Sequence, residues 1–154
     1  MGLNYRYSQR IVAARSRGTF RKKTISFKSK AELSFAEHLE FLRESGRIRS
    51  WEYEPHGSTF WFYTIRRGVR SYKADFRVVT NTGQIQWYEL KGYLNPKSMT
   101  KLRRMHLYHP DVILILVMMR DDKRDRRNVD AVRPFLYAVS YLDKVLARYK
   151  GTIK

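Results

Sequence analysis

The sequence predicts an α/β fold in which helices flank a mixed central sheet. Three observations support this. Apolar residues recur at helical spacing after residue 30, segments rich in aromatic and β-branched residues occupy much of 48–91, and the apolar run Val112–Val117 suits a strand buried on both faces. The resulting order is one helix, three or four strands, a helix, a strand and a helix, which is typical of a sheet with helices on its faces.

Length and composition indicate one domain. The chain has 154 residues, of which 43% are apolar, and this is enough for a core of its own. The absence of cysteine excludes disulfides and cysteine-ligated zinc and is compatible with a reducing cell interior. The longest apolar run, 112–119, is too short to span a bilayer, and we find no signal peptide. We therefore expect a cytoplasmic protein without a membrane partner.

The charge of the chain predicts a polyanionic partner. Lys and Arg number 32 against 14 Asp and Glu, which gives a formal net charge of +18. Thermophilic proteins also carry many charged residues, but they usually balance Lys and Arg with Glu, and this chain does not. We therefore expect nucleic acid as the partner.

The first 28 residues are predicted as a basic N-terminal arm, followed by a single domain at 29–154. Nine Lys or Arg and no acidic residue occur within the first 30 positions. Such a segment is typical of an arm that becomes ordered on a phosphate backbone or a partner subunit, and equally of a disordered tail. Within the domain we expect a core at 29–118 and a C-terminal helical extension at 119–154.

Local signals predict the elements of the first half of the domain. Ser29-Lys30-Ala31-Glu32 matches the capping box, so a helix should begin there, and Gly46 should end it. Four segments are predicted as strands because they are rich in aromatic and β-branched residues: Ile48–Glu54, Ser58–Ile65, Val69–Thr80 and Ile85–Lys91. Turns at 66–68 and 81–83 should join the last three of these strands into two consecutive hairpins, which places the Asp75 strand beside the Glu89 strand.

The second half continues with a predicted helix at Lys97–Tyr108, which His109-Pro110 should stop. A strand is predicted at Asp111–Met119. We expect Met119–Arg127, with five basic residues and three aspartates, to be a charged loop. A last helix is predicted over 134–149, with Pro134 in its first turn.

Two acidic residues and a lysine lie on strands that should pair. Side chains alternate along a strand, so Glu89 and Lys91 should share one face with Leu90 opposite, and pairing should bring Asp75 beside Glu89. Two carboxylates beside an ammonium suit a Mg²⁺ site next to a group that polarises water or phosphate, which is nuclease chemistry. Alternatively, these carboxylates face solvent and pair with the surplus cations.

Glu32 has two interpretations that the sequence leaves open. As the third helical position after Ser29, it can complete the capping box. It can also supply a third carboxylate, aimed from the start of the helix toward the metal site. Glu37, further along the helix, is the fallback candidate for that role.

Basic residues of the arm and of the second predicted helix are candidate DNA-binding residues. They are Arg21, Lys22, Lys23, Lys28, Lys30, Lys97, Lys101, Arg103 and Arg104. An aromatic cluster is more typical of a sheet core than of a base-stacking surface, and it comprises Trp51, Tyr53, Phe60, Trp61, Phe62 and Tyr63. The four histidines show no metal-ligand spacing.

Ala74-Asp75 followed by Glu89-Leu90-Lys91 resembles the motif of the PD-(D/E)XK nuclease superfamily. Within that superfamily the chain is most similar to phage endonuclease I and the archaeal-type Holliday-junction resolvases. The similarity covers about 28–118 and includes the segments 29–32, 51–54, 72–76 and 88–92. Ala74 stands where the superfamily usually has proline, a position that shapes the backbone and takes no part in the chemistry.

The resemblance implies a restriction-endonuclease-like core and a homodimer that resolves branched double-stranded DNA with Mg²⁺ or Mn²⁺ during recombination and repair. It makes Asp75 and Glu89 metal ligands, helped by the Leu90 carbonyl, Lys91 the catalytic lysine, and Glu32 the helix carboxylate. A bacteriophage or mobile-element origin would place the protein in the cytoplasm of a bacterial host. Two alternatives remain: a restriction, nicking or transposon-end nuclease on the same core, and a non-catalytic nucleic-acid-binding protein.

Overall fold

The computed structural model describes residues 15–152, with side chains described through residue 148. The strands are β1 (Ser16–Phe20), β2 (Lys23–Phe27), β3 (Ile48–Tyr53), β4 (Phe60–Trp61), β5 (Ser71–Tyr72), β6 (Phe76–Thr80), β7 (Ile85–Lys91), β8 (Ile113–Met118) and β9 (Ala138–Tyr141). The helices are α1 (Lys30–Glu44), α2 (Pro96–Tyr108), α3 (Lys123–Val132) and α4 (Leu142–Thr152), with a 3-10 turn at Arg133–Phe135. Within 15–152, none of the helices has the length and apolar content that crossing a lipid bilayer requires.

Five strands form the central sheet in the order β3-β6-β7-β8-β9. β6 is antiparallel to both β3 and β7, whereas β7, β8 and β9 run parallel to one another. The predicted α/β class with a mixed central sheet and flanking helices is therefore confirmed. A restriction-endonuclease-like arrangement within that class stays an expectation from the resemblance.

β8 lies in the middle of the parallel part and is buried on both faces, as predicted. Ile115 and Val117 pack with α1, α4 and the β1–β2 hairpin in one apolar cluster. Leu114 and Leu116 pack with α2 and α3 in a second cluster on the other face. Burying a side chain of this size contributes about 1.5–3 kcal/mol, so β8 stabilises both cores.

α1 begins and ends at the predicted residues. Ser29 is its N-cap, and the Ser29 hydroxyl accepts the Glu32 N–H at 3.1 Å. Gly46 follows the C-cap with a φ of 74°, a left-handed conformation that glycine adopts without the strain of a side chain. Phe35 and Leu39 are buried one turn apart and fix the helix on the sheet.

The segment predicted as a basic arm is structured over the part that the structure describes. β1 and β2 form an antiparallel hairpin in which Phe20 and Phe27 are almost fully buried. The ring centroids of Phe27 and Tyr53 lie 4.7 Å apart. Phe20 packs edge-on against Trp51, with 5.1 Å between the ring centroids. Aromatic burial therefore outweighs the repulsion among the basic residues here. The arm prediction for 1–14 lies outside the described residues.

Two predicted strands are shorter than expected. Of Ser58–Ile65 only β4 is extended, and Val69–Thr80 is divided into β5 and β6 by residues 73–75. β4 and β5 pair with each other in a separate two-stranded ribbon, because Phe62 and Tyr72 turn into the second apolar cluster. The break places Asp75 immediately before the interior strand β6, at one end of the central sheet.

The C-terminal segment is not the predicted helical extension. Part of the expected charged loop Met119–Arg127 is helical, since Asp122 caps α3 by accepting the Arg124 N–H at 2.9 Å. The predicted helix over 134–149 is replaced by the 3-10 turn, β9 and α4. β9 completes the sheet beside β8, and this tertiary pairing outweighs the local helical signal around 138–141.

We predict that Phe27→Ala lowers the free energy of unfolding by about 3–5 kcal/mol, because it leaves a cavity in the core beneath the hairpin. Urea unfolding measures the change. Thr24→Ala, at an exposed position of the same hairpin, is the control and should change the stability by less than about 0.5 kcal/mol. Equal stabilities for Phe27→Ala and the wild type would show that the hairpin is not part of the core.

Candidate active site

A cleft of about 460 Å³ lies where β6 begins and β7 ends. Antiparallel pairing of these strands brings the two ends together. Eight charged side chains line the cleft: Lys28, Lys73, Lys91 and Lys101, with Glu32, Glu54, Asp75 and Glu89. The four predicted catalytic residues therefore lie in one cleft.

Asp75 is fixed between the two strands on either side of it. Its N–H donates to the Tyr88 carbonyl at 3.0 Å, and its carbonyl accepts the Glu54 N–H at 2.8 Å. The carboxylate Oδ2 accepts the Leu90 N–H at 2.8 Å. Burial, followed by the charge of Glu89, raises the pKa of Asp75 to about 8, although the bond from Leu90 acts in the opposite direction.

Glu89 is buried, and both of its carboxylate oxygens are held. The Tyr72 hydroxyl donates to Oε2 at 2.7 Å in a buried hydrogen bond. The Lys91 ammonium lies 3.0 Å from Oε1, on the same face of β7 as predicted from strand alternation. The carboxylate is therefore oriented by a hydrogen bond on one side and an ion pair on the other.

The two lysines nearest these carboxylates differ in the direction of their pKa shifts. Burial alone would lower the pKa of Lys91, but Glu89, Asp75 and Glu32 together raise it. Burial, helped by the charge of Lys91, lowers the pKa of Lys101. Lys91 therefore stays charged at neutral pH, whereas the surroundings of Lys101 disfavour its charged form.

Glu32 serves the helix terminus and also faces the cleft. Its Oε2 accepts the Lys28 N–H at 2.8 Å and the Tyr53 hydroxyl at 2.7 Å. In the expected capping box this side chain would accept the N–H of Ser29. Here it accepts the N–H of the preceding residue, Lys28. Burial and then Glu32 raise the pKa of Tyr53 well above its usual value. Both interpretations of Glu32 remain open.

Lys28 and Glu54 form an ion pair at the mouth of the cleft. Burial opposes the charge of Lys28, but Glu54 raises its pKa above the usual value. Glu54 has a φ of 39°, a left-handed conformation that few residues other than glycine adopt. The bond from its N–H to the Asp75 carbonyl holds it there, so β3 ends in the site.

The predicted DNA-binding residues lie in different environments. Lys28 and Lys101 line the cleft, and Lys22, Lys23, Lys30 and Lys97 are exposed outside it, with Lys22 and Lys23 at the turn of the β1–β2 hairpin. Three arginines make contacts within the chain. Arg21 lies over the Trp51 ring at 5.5 Å, Arg103 lies over the Phe135 ring at 5.7 Å, and Arg104 donates to the Val69 carbonyl.

Residues of the site that were not among the predicted site residues include Lys73, Tyr53, Tyr72 and Glu54. Tyr72 and Asp75 belong to one sequence run, and this was the available signal for Tyr72. Tyr53 and Glu54 belong to the segment that carries the resemblance at 51–54, but no local pattern indicates that the end of β3 reaches α1. Their roles follow from tertiary packing.

The metal ligands predicted from the sequence are close to one another but differ in how they are engaged. Among the described residues, no three His, Cys, Asp or Glu side chains form a group arranged to hold a metal ion. Lys91 contacts Glu89, and Glu32 is bonded to the start of α1. The donor chemistry nevertheless fits Mg²⁺ or Mn²⁺, since Asp75 and Glu89 offer hard oxygens and their mutual repulsion is what a divalent cation would relieve. The ion stays a prediction.

Protein-family models, curated proteins and solved structures were each compared with the chain, and none matches it. The resemblance described above therefore rests on the quoted residues, and the interpretation of the cleft rests on its geometry.

We predict that Asp75→Asn makes the protein more stable than the wild type as the pH rises. The folded Asp75 has a pKa of about 8, above its unfolded value, so its stabilising contribution is present below about pH 4 and is lost as the pH rises through 8. Asn keeps an acceptor for the Leu90 N–H and cannot ionise. The advantage of the variant should grow by about 4 kcal/mol between pH 5 and pH 8.5 in metal-free urea unfolding, because each pH unit below the folded pKa contributes about 1.4 kcal/mol.

The matched control is Asp130→Asn, at a side chain that is 73% exposed. Its stability difference from the wild type should not vary with pH. Parallel pH profiles for Asp75→Asn and the wild type would contradict the raised pKa.

Proposed function

We propose that this chain is a metal-dependent endonuclease that hydrolyses phosphodiester bonds of DNA, with branched DNA such as a four-way junction as its preferred substrate. One observation carries the proposal. In a chain with a net charge of +18, four of the 14 acidic residues line a single cleft, where four lysines balance them.

A groove that only held a DNA backbone would gain from being basic throughout, because carboxylates repel phosphate. Gathering buried carboxylates instead raises the pKa of Asp75 and costs stability at neutral pH. That arrangement is favourable beside phosphate when a cation lies between the acidic groups and the substrate. The charge pattern therefore supports a hydrolytic site more than a binding groove.

Asp75 and Glu89 would hold the divalent ion, with the Leu90 carbonyl and Glu32 as the further candidates. When bound, such an ion supplies Lewis acidity toward the phosphate and the attacking water. The Leu90 N–H and the Tyr72 hydroxyl fix the two carboxylates, which is the role of hydrogen-bonding groups behind metal ligands.

Lys91 is the residue that we assign to charge stabilisation. Its ammonium is charged at neutral pH, and Glu89 holds it at 3.0 Å in the cleft. A fixed positive charge at this place stabilises the negative charge that develops on the phosphate during hydrolysis. Lys28 and Lys101 attract the DNA backbone to the same cleft.

The preference for junctions and the homodimer are drawn from the resemblance. Resolution of a four-way junction needs two nicks, and a two-fold dimer would place one cleft at each strand. A role in recombination and repair follows from that substrate. Restriction, nicking or transposon-end cleavage would use the same cleft on other DNA, so the range of substrates separates these nucleases.

A non-catalytic nucleic-acid-binding protein is the second candidate. The contact between Lys91 and Glu89 favours it, because the ammonium already neutralises one carboxylate. Under this alternative the charged residues of the cleft form a structural ion network, and divalent metal changes neither DNA binding nor DNA integrity.

We predict that the wild type cuts a synthetic four-way junction only when Mg²⁺ or Mn²⁺ is present. Lys91→Ala should slow cleavage by about 10²–10³-fold, the usual effect of removing a group that stabilises transition-state charge. Asp75→Asn should slow it at least as much, whereas Asp130→Asn should not. Linear, nicked and flapped duplexes serve as comparison substrates in the same gel assay. Unchanged rates for Asp75→Asn and Lys91→Ala would remove the proposal.

We also predict that Mg²⁺ stabilises the fold by binding the cleft. A ligand at one hundred times its Kd adds about 2.7 kcal/mol to the free energy of unfolding, which raises Tm by several degrees. The rise in Tm should be larger at pH 8.5 than at pH 6, because a proton on Asp75 competes with the cation. Asp75→Asn should reduce it and Asp130→Asn should not. Equal Tm rises in all variants would show that the cation binds elsewhere.

A further inference from the structure

A second cavity, of about 520 Å³, lies beside the active-site cleft at the carboxyl ends of β7 and β8. The loops that follow these parallel strands, at Gly92–Tyr93 and Met119–Arg120, form its walls, and the start of α3 closes one side. The Met119 N–H donates to the Lys91 carbonyl at 3.0 Å, so the cavity adjoins the residue that carries the catalytic ammonium. Ligands of open α/β sheets commonly bind outside the carboxyl ends of the strands.

The cavity presents aromatic and apolar surface that the fold does not bury. Tyr93 is 66% exposed and Met119 is 40% exposed, although both are large hydrophobic residues. Gly92 lies between Lys91 and Tyr93, and a Cβ at Gly92 would come within 3.4 Å of the Met119 sulfur. The glycine thus leaves the space beside the Met119 sulfur free of a further side chain.

The polar part of the lining indicates what kind of group fits inside. Arg120 and Arg124 are exposed, and Arg124 pairs with Asp122 at 3.1 Å. Asp122 and Asp125 disfavour a phosphate within the cavity itself, whereas the arginines favour one close by. A flat neutral ring joined to a phosphate backbone meets both conditions, and every nucleobase has a face that stacks on an aromatic side chain.

We propose that this cavity receives one unpaired nucleobase of a DNA strand whose backbone lies in the active-site cleft, with Tyr93 stacked on the base. The inference rests on the proposed function in taking DNA as the ligand of the cleft. Extracting a base from a duplex costs free energy, and the cost is least where the base is already unpaired. The cavity would therefore make this chain prefer DNA with unpaired nucleotides. Selectivity for DNA structure would then come from residues of the cavity itself.

The test measures DNA binding in EDTA, where metal-dependent cleavage does not occur. Three duplexes of one sequence are compared by fluorescence anisotropy: fully paired, with one unpaired nucleotide, and with an abasic site at that unpaired position. The abasic duplex keeps the flexible backbone and lacks only the base. We expect the wild type to bind the unpaired base about 5- to 150-fold more tightly than its abasic counterpart, the range of base-on-aromatic stacking.

Tyr93→Ala should bring this ratio close to one, and Tyr93→Phe should keep it. Tyr137→Ala is the matched control, because Tyr137 is also 66% exposed and is not part of the cavity lining. The control should keep the ratio. A ratio near one for the wild type, or an unchanged ratio for Tyr93→Ala, overturns the inference.

Cleavage assays with Mg²⁺ distinguish this failure from that of the proposed function. If the protein cuts DNA but its binding ratio is one, the proposed role of the cavity is wrong and the proposed nuclease activity stands. If the ratio depends on Tyr93 but the protein cuts no DNA with any divalent metal, the proposed role of the cavity is supported and the proposed nuclease activity is wrong.

Discussion

The repulsion between the half-buried carboxylate of Asp75 and the buried carboxylate of Glu89 is the constraint to which the rest of the cleft responds. Burial, followed by the charge of Glu89, raises the pKa of Asp75 to about 8, and attraction to Glu89 and Asp75 keeps Lys91 positively charged in spite of burial. A fold has no structural reason to place two carboxylates together, because an apolar pair of the same size would be no less stable. The Leu90 N–H and the Tyr72 hydroxyl hold the pair in position, which is what the proposed cation site would need.

The mixed topology of the sheet explains why one edge carries both cavities. Antiparallel pairing brings the start of β6 to the end of β7, which joins Asp75 to Glu89 and Lys91. Parallel pairing brings the end of β8 to the same edge, where the loops after β7 and β8 enclose the second cavity. The β1–β2 hairpin and the start of α1 then bring Lys28 and Glu32 to the mouth of the cleft. A purely antiparallel sheet would supply the first arrangement without the second.

Much of the fold and of the cleft could be predicted from local sequence, because helix capping and strand alternation depend on residues close in the chain. The start of α1, the whole of β7 and the buried β8 follow from such patterns, and so does the convergence of Asp75, Glu89 and Lys91. The hairpin at 16–27 and β9 could not be predicted, because Phe27 and Val139 are placed by partners distant in sequence. Tyr53 reaches Glu32 across 21 positions for the same reason. Tertiary contacts outweighed local propensity at each of these places.

Arginine and lysine side chains make different contacts in this structure, and the difference bears on how a polyanion would be bound. Arg21, Arg103 and Arg104 contact aromatic rings or carbonyls of the chain itself, uses that suit a planar guanidinium. Lys30 and Lys97 are exposed as mobile point charges without bidentate geometry, whereas Arg120 and Arg124 are exposed at the second cavity. If the chain binds DNA as proposed, such a surface would contact the phosphate backbone and carry no sequence code. Under that proposal the selectivity would come from the shape of the DNA, which the aromatic cavity beside Lys91 is proposed to read.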